Sequence, residues 1–265
     1  MNKKNINKII YVFSIKRMGH HGIINWICNH FKEPVVWTNN INTPDVRSKS
    51  FIEMFDKIHN IHSTFYNIHI NKNPDIYVNM YNTTSKQIQS ISRISLVLSS
   101  ENLPVNKFDS IIHNEFIKQK VCRVYIIRDV YNCLASQMRV PQFHIRDNTN
   151  IYNNLMNIIK QYYNHYLSHK ETNDSFYILY NRWFVDKEYR RSIIEKMGLE
   201  FTDKGLNQRL MGFKYDEDNN TSNAQKMKVF DRWRLYKDHP FMITLFKNKE
   251  LVDMCYEIFK FKPKI

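Results

Sequence analysis

One stretch near the start of the chain, residues 9–31, constrains the fold more than any other. Residues 9–14 are a short apolar run rich in β-branched and aromatic side chains, which predicts a buried strand. Residues 23–31 place apolar side chains at helical spacing, which predicts an amphipathic helix packed on that strand. The sequence therefore predicts that the fold begins with a strand, a turn and a helix.

The turn between these two elements is rich in cations and glycine. Lys16 and Arg17 precede Gly19 and Gly22 in it. A turn that leads directly into a helix presents backbone N–H groups and the positive end of the helix dipole, and the two cations add charge beside them. We therefore predict an anion site here, for phosphate or sulfate, although an ordinary turn with accidental cations is the alternative. The missing Lys-Ser or Lys-Thr pair disfavours a kinase or GTPase.

Length and composition predict one domain that spans residues 1–265. A chain of 265 residues with 43% hydrophobic side chains can fill one sizeable core. The net charge of +14 is compatible with nucleic acid, an acidic polymer or a membrane surface as a partner. Abundant Asn, Ile and Lys with only 5 Gly are equally typical of an AT-rich genome. The positive charge can therefore reflect the base composition of the gene instead of a partner.

The cysteines and histidines give no clear metal or disulfide pattern. The 4 cysteines are scattered, which predicts reduced thiols in packed positions. His59, His62 and His69 lack a fixed-spacing partner set, so we interpret them as loop residues and expect no metal. The apolar run near the N-terminus is too short for a signal core or a membrane span, so a soluble intracellular protein is expected.

A carboxylate follows the strand predicted at residues 94–100. Glu101 comes directly after this apolar run, and Pro104 prevents direct continuation of the strand. Open parallel sheets place active groups at the carboxyl ends of their strands. Glu101 is therefore a candidate general base, and the alternative is that it caps a helix near residues 108–116.

The second informative block, residues 121–136, combines a strand with a guanidinium and a hydroxyl group. Residues 124–127 predict a buried strand, Arg128 leaves its end, and Asp129 suits the start of a helix that runs to residue 139. Ser136 lies two helical turns after Arg128, so both can face one groove. Arg is suited to forked phosphate binding, and a serine hydroxyl can complete the site.

The first turn resembles the 5′-phosphosulfate loop of sulfotransferases. In that family a strand ends in a basic residue, followed by Ser-Gly, two small polar residues and a helix. Arg17 stands at the basic position and Gly19 at the glycine. Met18 replaces the usual Ser, and His20 and His21 stand where Ser or Thr are usual, so imidazoles take the place of small hydroxyl groups.

The second block resembles the 3′-phosphate motif of the same family. Arg128 and Ser136 match its strand-ending Arg and its Ser, and the resemblance extends over residues 9–236. It implies a three-layer α/β fold of the P-loop type, with a central parallel sheet and helices on both faces. The implied donor is 3′-phosphoadenosine 5′-phosphosulfate (PAPS), and the implied product is 3′-phosphoadenosine 5′-phosphate (PAP).

The resemblance also implies roles for individual residues. Backbone N–H groups of Met18, Gly19, His20, His21 and Gly22 would hold the phosphosulfate, and Arg17 or Lys16 would neutralise charge on the bridging oxygen. Glu101 would be the base, with His20, His21 and His144 as its rivals. A basic loop would close over the nucleotide through Lys226, Lys228 and Arg232.

The remaining elements continue the same pattern. Apolar spacing predicts a long helix at residues 151–166, a strand at 176–180, a helix at 187–197 and an amphipathic helix at 242–261. Gly198 suits the end of the helix predicted at residues 187–197. We expect Trp233 to pack rather than to stack on adenine.

The acceptor cannot be predicted, since the family uses small molecules, carbohydrates and peptides on one scaffold. Two other classes stay open at this stage. One is a basic nucleic-acid- or nucleotide-binding protein without turnover, whose affinity should fall steeply as salt rises. The other is an atypical nucleotide kinase, which magnesium-dependent ATP hydrolysis would reveal.

Overall fold

The structure is a computed structural model, and it describes residues 6–32, 35–38, 66–69, 77–78, 94–107, 121–141, 144–203, 206 and 228–263. The helix predicted near residues 108–116, together with His59, His62, the side chain of His69 and Lys226, lies outside the described residues. The backbone of His69 ends a strand, so its interpretation as a loop residue is wrong.

Seven strands of the described chain form one mixed sheet. They are β1 (Ile6–Ser14), β2 (Val35–Thr38), β3 (Tyr66–His69), β4 (Tyr77–Val78), β5 (Ile94–Glu101), β6 (Val121–Ile127) and β7 (Ser175–Leu179). Their order is β4-β3-β2-β5-β1-β6-β7. The five strands from β2 to β7 in this order run parallel, and β3 and β4 add an antiparallel edge.

Helices cover both faces of this sheet, which confirms the predicted three-layer α/β fold. The α-helices are α1 (His20–Cys28), α2 (Val130–Met138), α3 (Thr149–Ser168), α4 (Tyr180–Val185), α5 (Lys187–Lys196), α6 (Pro240–Lys247) and α7 (Lys249–Phe259). Val105–Lys107 and Arg232–Tyr236 are short 3₁₀ helices.

The centre of the sheet is buried, as its sequence pattern predicts. Ile10, Val12 and Phe13 of β1 and Val124 of β6 are inaccessible to solvent, because β1 and β6 lie in the middle of the sheet, where helices cover both faces. The four cysteines are free and buried, as predicted. In the described part of the chain, no helix combines the length and the hydropathy needed to cross a membrane.

Several element boundaries differ from the sequence predictions, and three of these differences are larger or have a visible cause. Helix α1 begins at His20 rather than at residue 23, because Gly19 adopts a left-handed conformation that starts the helix there. Tyr180 begins α4 instead of ending β7. The helix predicted at residues 242–261 is two helices, since Asn248 ends α6 and its side chain caps α7 by accepting a hydrogen bond from the Leu251 N–H.

Candidate active site

The carboxyl ends of four parallel strands bring the candidate residues together. Ser14 of β1 is paired in register with Glu101 of β5 and with Ile126 of β6, so these strands end at one level. Since parallel strands point the same way, the segments that follow them meet at one edge of the sheet. This edge carries the turn after β1, together with Glu101, Arg128 and the start of α4.

The turn between β1 and α1 has two residues with positive φ. Arg17 has φ 67° and Gly19 has φ 89°. Glycine adopts this left-handed conformation without strain, whereas a non-glycine residue such as Arg17 pays about 1–3 kcal/mol for it. The Met18 N–H donates to the Ile15 carbonyl at 3.2 Å, and the Gly22 N–H donates to the Gly19 carbonyl at 3.1 Å. The amides of Met18 and Gly22 are therefore used within the turn, which makes them poorer candidates for anion binding than the sequence predicts.

Side chains from three other segments fix the backbone of this turn. The Lys16 N–H donates to Asn102 Oδ1 at 2.9 Å, and Gln137 Nε2 donates to the Lys16 carbonyl at 3.0 Å. Arg128 Nη1 lies 3.4 Å from the Arg17 carbonyl. Contacts from β5, α2 and the end of β6 thus hold the turn in one conformation, which preorganises its amides.

Tyr180 lies between the two predicted phosphate motifs. A Cβ atom at Gly19 would overlap its ring, so the ring packs directly on the glycine backbone. The Arg128 guanidinium carbon lies 4.7 Å from the centre of the same ring, a cation–π contact. The ring therefore connects the turn after β1 with the guanidinium after β6.

Arg128 and Ser136 share one site, as their spacing predicts. Arg128 is only 1% exposed, and its Nη1 lies 3.4 Å from Ser136 Oγ. Its Nη2 donates to the Val229 carbonyl at 2.5 Å. Arg232 is also buried, and its Nη1 donates to the same Ser136 hydroxyl at 3.1 Å. Two guanidinium groups thus converge on one serine, which is an arrangement suited to a phosphate.

The segment from Lys228 to Tyr236 is attached to helix α2. The Asn132 side chain donates to the Phe230 carbonyl at 3.1 Å and accepts from the Trp233 N–H at 3.3 Å. Trp233 is buried against Phe246, so it packs as predicted. Two of the predicted closing cations lie within the described residues: Lys228 is exposed, and Arg232 donates to Ser136.

Glu101 lies against the two histidines of the turn. Its Oε1 contacts His20 Nε2 and lies 3.6 Å from His21 Nε2. Burial by itself would raise the pKa of the Glu101 carboxyl, but the histidines and the Lys16 charge outweigh it and hold the pKa at about 2. The carboxyl is therefore ionised at neutral pH. His144, the other rival base, is exposed in the segment after α2.

Sequence reasoning missed several residues of this site. Tyr180 was assigned to a strand, although its place at the end of a parallel strand was a usable signal. Asn102 and Gln137 are neighbours of predicted residues, but nothing in the sequence shows that they bind the turn. The contact of Val229 with Arg128 joins residues about a hundred positions apart, so no local pattern contains it.

Comparisons with known proteins give a fold but no sequence family. No protein-family model matches the chain, and no curated protein matches it. The sulfotransferase domain from the curacin biosynthetic pathway matches with a TM-score of 0.53 and 12% identity, over 98% of this chain and 100% of that one. The sulfotransferase domain of the Synechococcus PCC 7002 olefin synthase matches with a TM-score of 0.53 and 14% identity, over 100% and 98%.

A third solved structure is less similar. Mouse sulfotransferase SULT7A1, complexed with PAP, matches with a TM-score of 0.48 and 15% identity, over 94% of this chain and 85% of that one. At such identities the likeness concerns architecture only. The chain therefore has a sulfotransferase-like fold.

Proposed function

We propose that the protein is a sulfotransferase, which moves a sulfuryl group from PAPS to a hydroxyl or amine acceptor by in-line transfer. The observation that carries this proposal is the convergence of Arg128, Arg232 and Ser136 beside the turn after β1. One group of residues suits a 3′-phosphate, and the adjacent turn suits a 5′-phosphosulfate.

The charge distribution supports a donor with several negative charges. Lys16 and Arg17 lie in the turn, and two buried guanidinium groups lie beside it. Taking a cation out of water is costly unless an anion or hydrogen-bond acceptors surround it. In the described structure, main-chain carbonyls of Arg17 and Val229 accept from Arg128, and a phosphate in the same place would add charge-assisted bonds.

The proposed reaction breaks one bond and forms one. The S–O bond to the 5′-phosphate of PAPS breaks, and its electrons stay on the phosphate, which leaves as PAP. An S–O or S–N bond to the acceptor forms, and the acceptor loses one proton. The amides of residues 19–21 and the charge of Arg17 or Lys16 would stabilise the leaving phosphate. Positioning and charge stabilisation would supply most of the acceleration.

Glu101 is the proposed acceptor of the proton, with the two histidines of the turn as its partners. A carboxyl with a pKa of about 2 is a weak base, but its oxygen contacts His20 and lies near His21. We propose that these three side chains share the proton. The acceptor supplies the hydroxyl or amine, on a small molecule, a carbohydrate or a peptide.

Calorimetry with PAP and AMP tests the donor site. Both ligands carry a 5′-phosphate, and only PAP carries the 3′-phosphate. Charge-assisted hydrogen bonds contribute about 1.5–3 kcal/mol, so we expect PAP to bind at least about tenfold more tightly. Arg128→Lys keeps the positive charge but loses the two parallel N–H donors of the guanidinium. It should therefore remove most of the preference for PAP over AMP.

Arg190→Lys is the matched control. Arg190 is also buried, and it donates to Asp203 at 2.9 Å rather than to the site. This variant should lower the stability while the ratio of the two affinities stays as in the parent protein. Equal affinities of the parent protein for PAP and AMP would remove the case for a 3′-phosphate site.

A further inference from the structure

The contact between Glu101 and the turn brings three possible metal ligands together. We call His20, His21 and Glu101 the His-Glu cluster. One nitrogen of each imidazole and one carboxylate oxygen all lie within 4.8 Å of one another. These atoms come from two segments, the first turn of α1 and the end of β5, which are fixed side by side by the sheet.

His20 is buried, and one of its two ring nitrogens has no hydrogen-bond partner among the described residues. Its residue exposure is 4%; Nε2 contacts Glu101 Oε1, whereas Nδ1 has no partner among the described residues. A buried polar nitrogen usually has a partner, because leaving it unpaired costs about 1–3 kcal/mol. The Nε2 atom is directed toward the carboxylate oxygen that His21 also approaches.

One separation within the cluster already suits a small ion, whereas His20 Nε2 and Glu101 Oε1 are in direct contact and would have to move apart to bind the same ion. Ligands at about 2.0–2.2 Å from a tetrahedral ion lie roughly 3.4 Å from one another. His21 Nε2 and Glu101 Oε1 are already 3.6 Å apart. The His21 side chain is 30% exposed, so an ion can reach the cluster from solvent. Two imidazoles and one carboxylate with an open position form a donor set known from zinc sites.

The neighbouring charge determines which ions can bind. Lys16 acts electrostatically on Glu101, and this positive charge opposes any cation. Magnesium and calcium prefer oxygen ligands, and the cluster offers one carboxylate only. Zinc and related transition metals bind imidazole strongly enough to compensate for this repulsion.

We propose that the His-Glu cluster binds one divalent transition metal ion of the zinc type. The assignment is independent of the nucleotide site, since it depends only on these three side chains. If the proposed function also holds, the bound ion blocks the Glu101 carboxylate oxygen, which would otherwise take up the proton from the acceptor. Zinc should then inhibit sulfuryl transfer rather than support it.

Zinc titration of chelator-treated protein without an affinity tag tests the site directly. We expect one zinc ion per chain, bound with a rise in melting temperature because the ion binds the folded state. His21→Ala and Glu101→Gln should each lower the zinc affinity at least about a hundredfold. Even groups that only hydrogen-bond a metal ligand contribute about 10–100-fold to metal affinity. X-ray absorption should show two imidazoles and an oxygen at about 2.0–2.2 Å from zinc.

His239→Asn is the matched control. His239 Nδ1 accepts from the Phe241 N–H at 3.2 Å at the start of α6, and Asn keeps such an acceptor while removing an imidazole. Its zinc affinity should equal that of the parent protein. If His21→Ala and Glu101→Gln bind zinc as tightly as the parent, the ion lies elsewhere and the proposal is wrong. PAP binding in the presence of chelator tests the nucleotide site separately.

Discussion

Gly19→Ala should strongly destabilise the protein, because two independent effects act on the added methyl group. Gly19 has φ 89°, a left-handed conformation that costs a residue with a Cβ about 1–2 kcal/mol. The new Cβ would also overlap the Tyr180 ring. Moving a packed side chain aside costs about 1–3 kcal/mol. We therefore expect a loss of about 2–5 kcal/mol, out of a total stability of about 5–15 kcal/mol for a typical domain.

Gly22→Ala supplies the matched comparison within the same helix. Gly22 lies in α1, and among the described residues a Cβ there would meet the Trp183 ring alone, at 3.9 Å, which is an ordinary contact. Alanine in a helix is favoured over glycine by roughly 0.5–1 kcal/mol, so this variant should be neutral or slightly more stable. The free energies of unfolding of both variants come from urea titration followed by circular dichroism.

Displacement of Tyr180 also has a functional consequence. The ring lies 4.7 Å from the Arg128 guanidinium, so moving it disturbs the proposed 3′-phosphate site. Gly19→Ala should therefore weaken PAP binding as well as stability, whereas Gly22→Ala should leave PAP binding unchanged. A Gly19→Ala variant within about 0.5 kcal/mol of the parent protein would refute the reasoning from φ and overlap.

Two further predictions concern the base and the response to acid. Glu101→Gln should retain PAP binding and lose turnover at least about a hundredfold. Turnover is measured as PAP release with an acceptor that the parent protein uses. If the variant turns over at the rate of the parent protein, Glu101 has a structural role and is not the base. Burial lowers the pKa of His30 below its usual 6.5, while its Nδ1 hydrogen-bonds the Trp26 carbonyl at 2.7 Å. Since the unfolded chain takes up a proton that folded His30 resists, stability should fall as pH drops below about 6.5. His30→Gln should flatten this dependence in urea titrations, and an unchanged slope would assign it to other groups.

The parts of the site that lie close together in the chain were predictable. Arg128 follows β6 directly and Ser136 lies two turns along the helix that begins two residues later, so the short strand–helix connection lets both face one groove. Asp129 was expected at the start of that helix, and it does cap α2 by accepting from the Asn132 N–H at 2.9 Å. Such relations depend on local geometry, which sequence spacing encodes directly.

Element boundaries were less predictable, for reasons visible in the structure. The first turn of α1 contains His20, His21 and Gly22, which have little helical hydrophobic signal of their own. The break at Asn248 falls inside a continuous apolar period, because both α6 and α7 carry apolar side chains toward the core. In both places a cap, rather than the hydrophobic pattern, decides where the helix begins or ends.

The sequence by itself determined the strand–turn–helix units, the buried character of the central strands and the placement of cations at two strand ends. It did so because hydrophobic period, glycine and caps act over a few residues. Only the tertiary structure decided that Glu101 meets the histidines of the turn, that Tyr180 packs on Gly19, and that Arg232 reaches Ser136. The first two contacts follow from the strand order β5-β1-β6-β7, which sets distant strand ends side by side and which no local pattern encodes. The third depends on how the 3₁₀ helix Arg232–Tyr236 packs on α2.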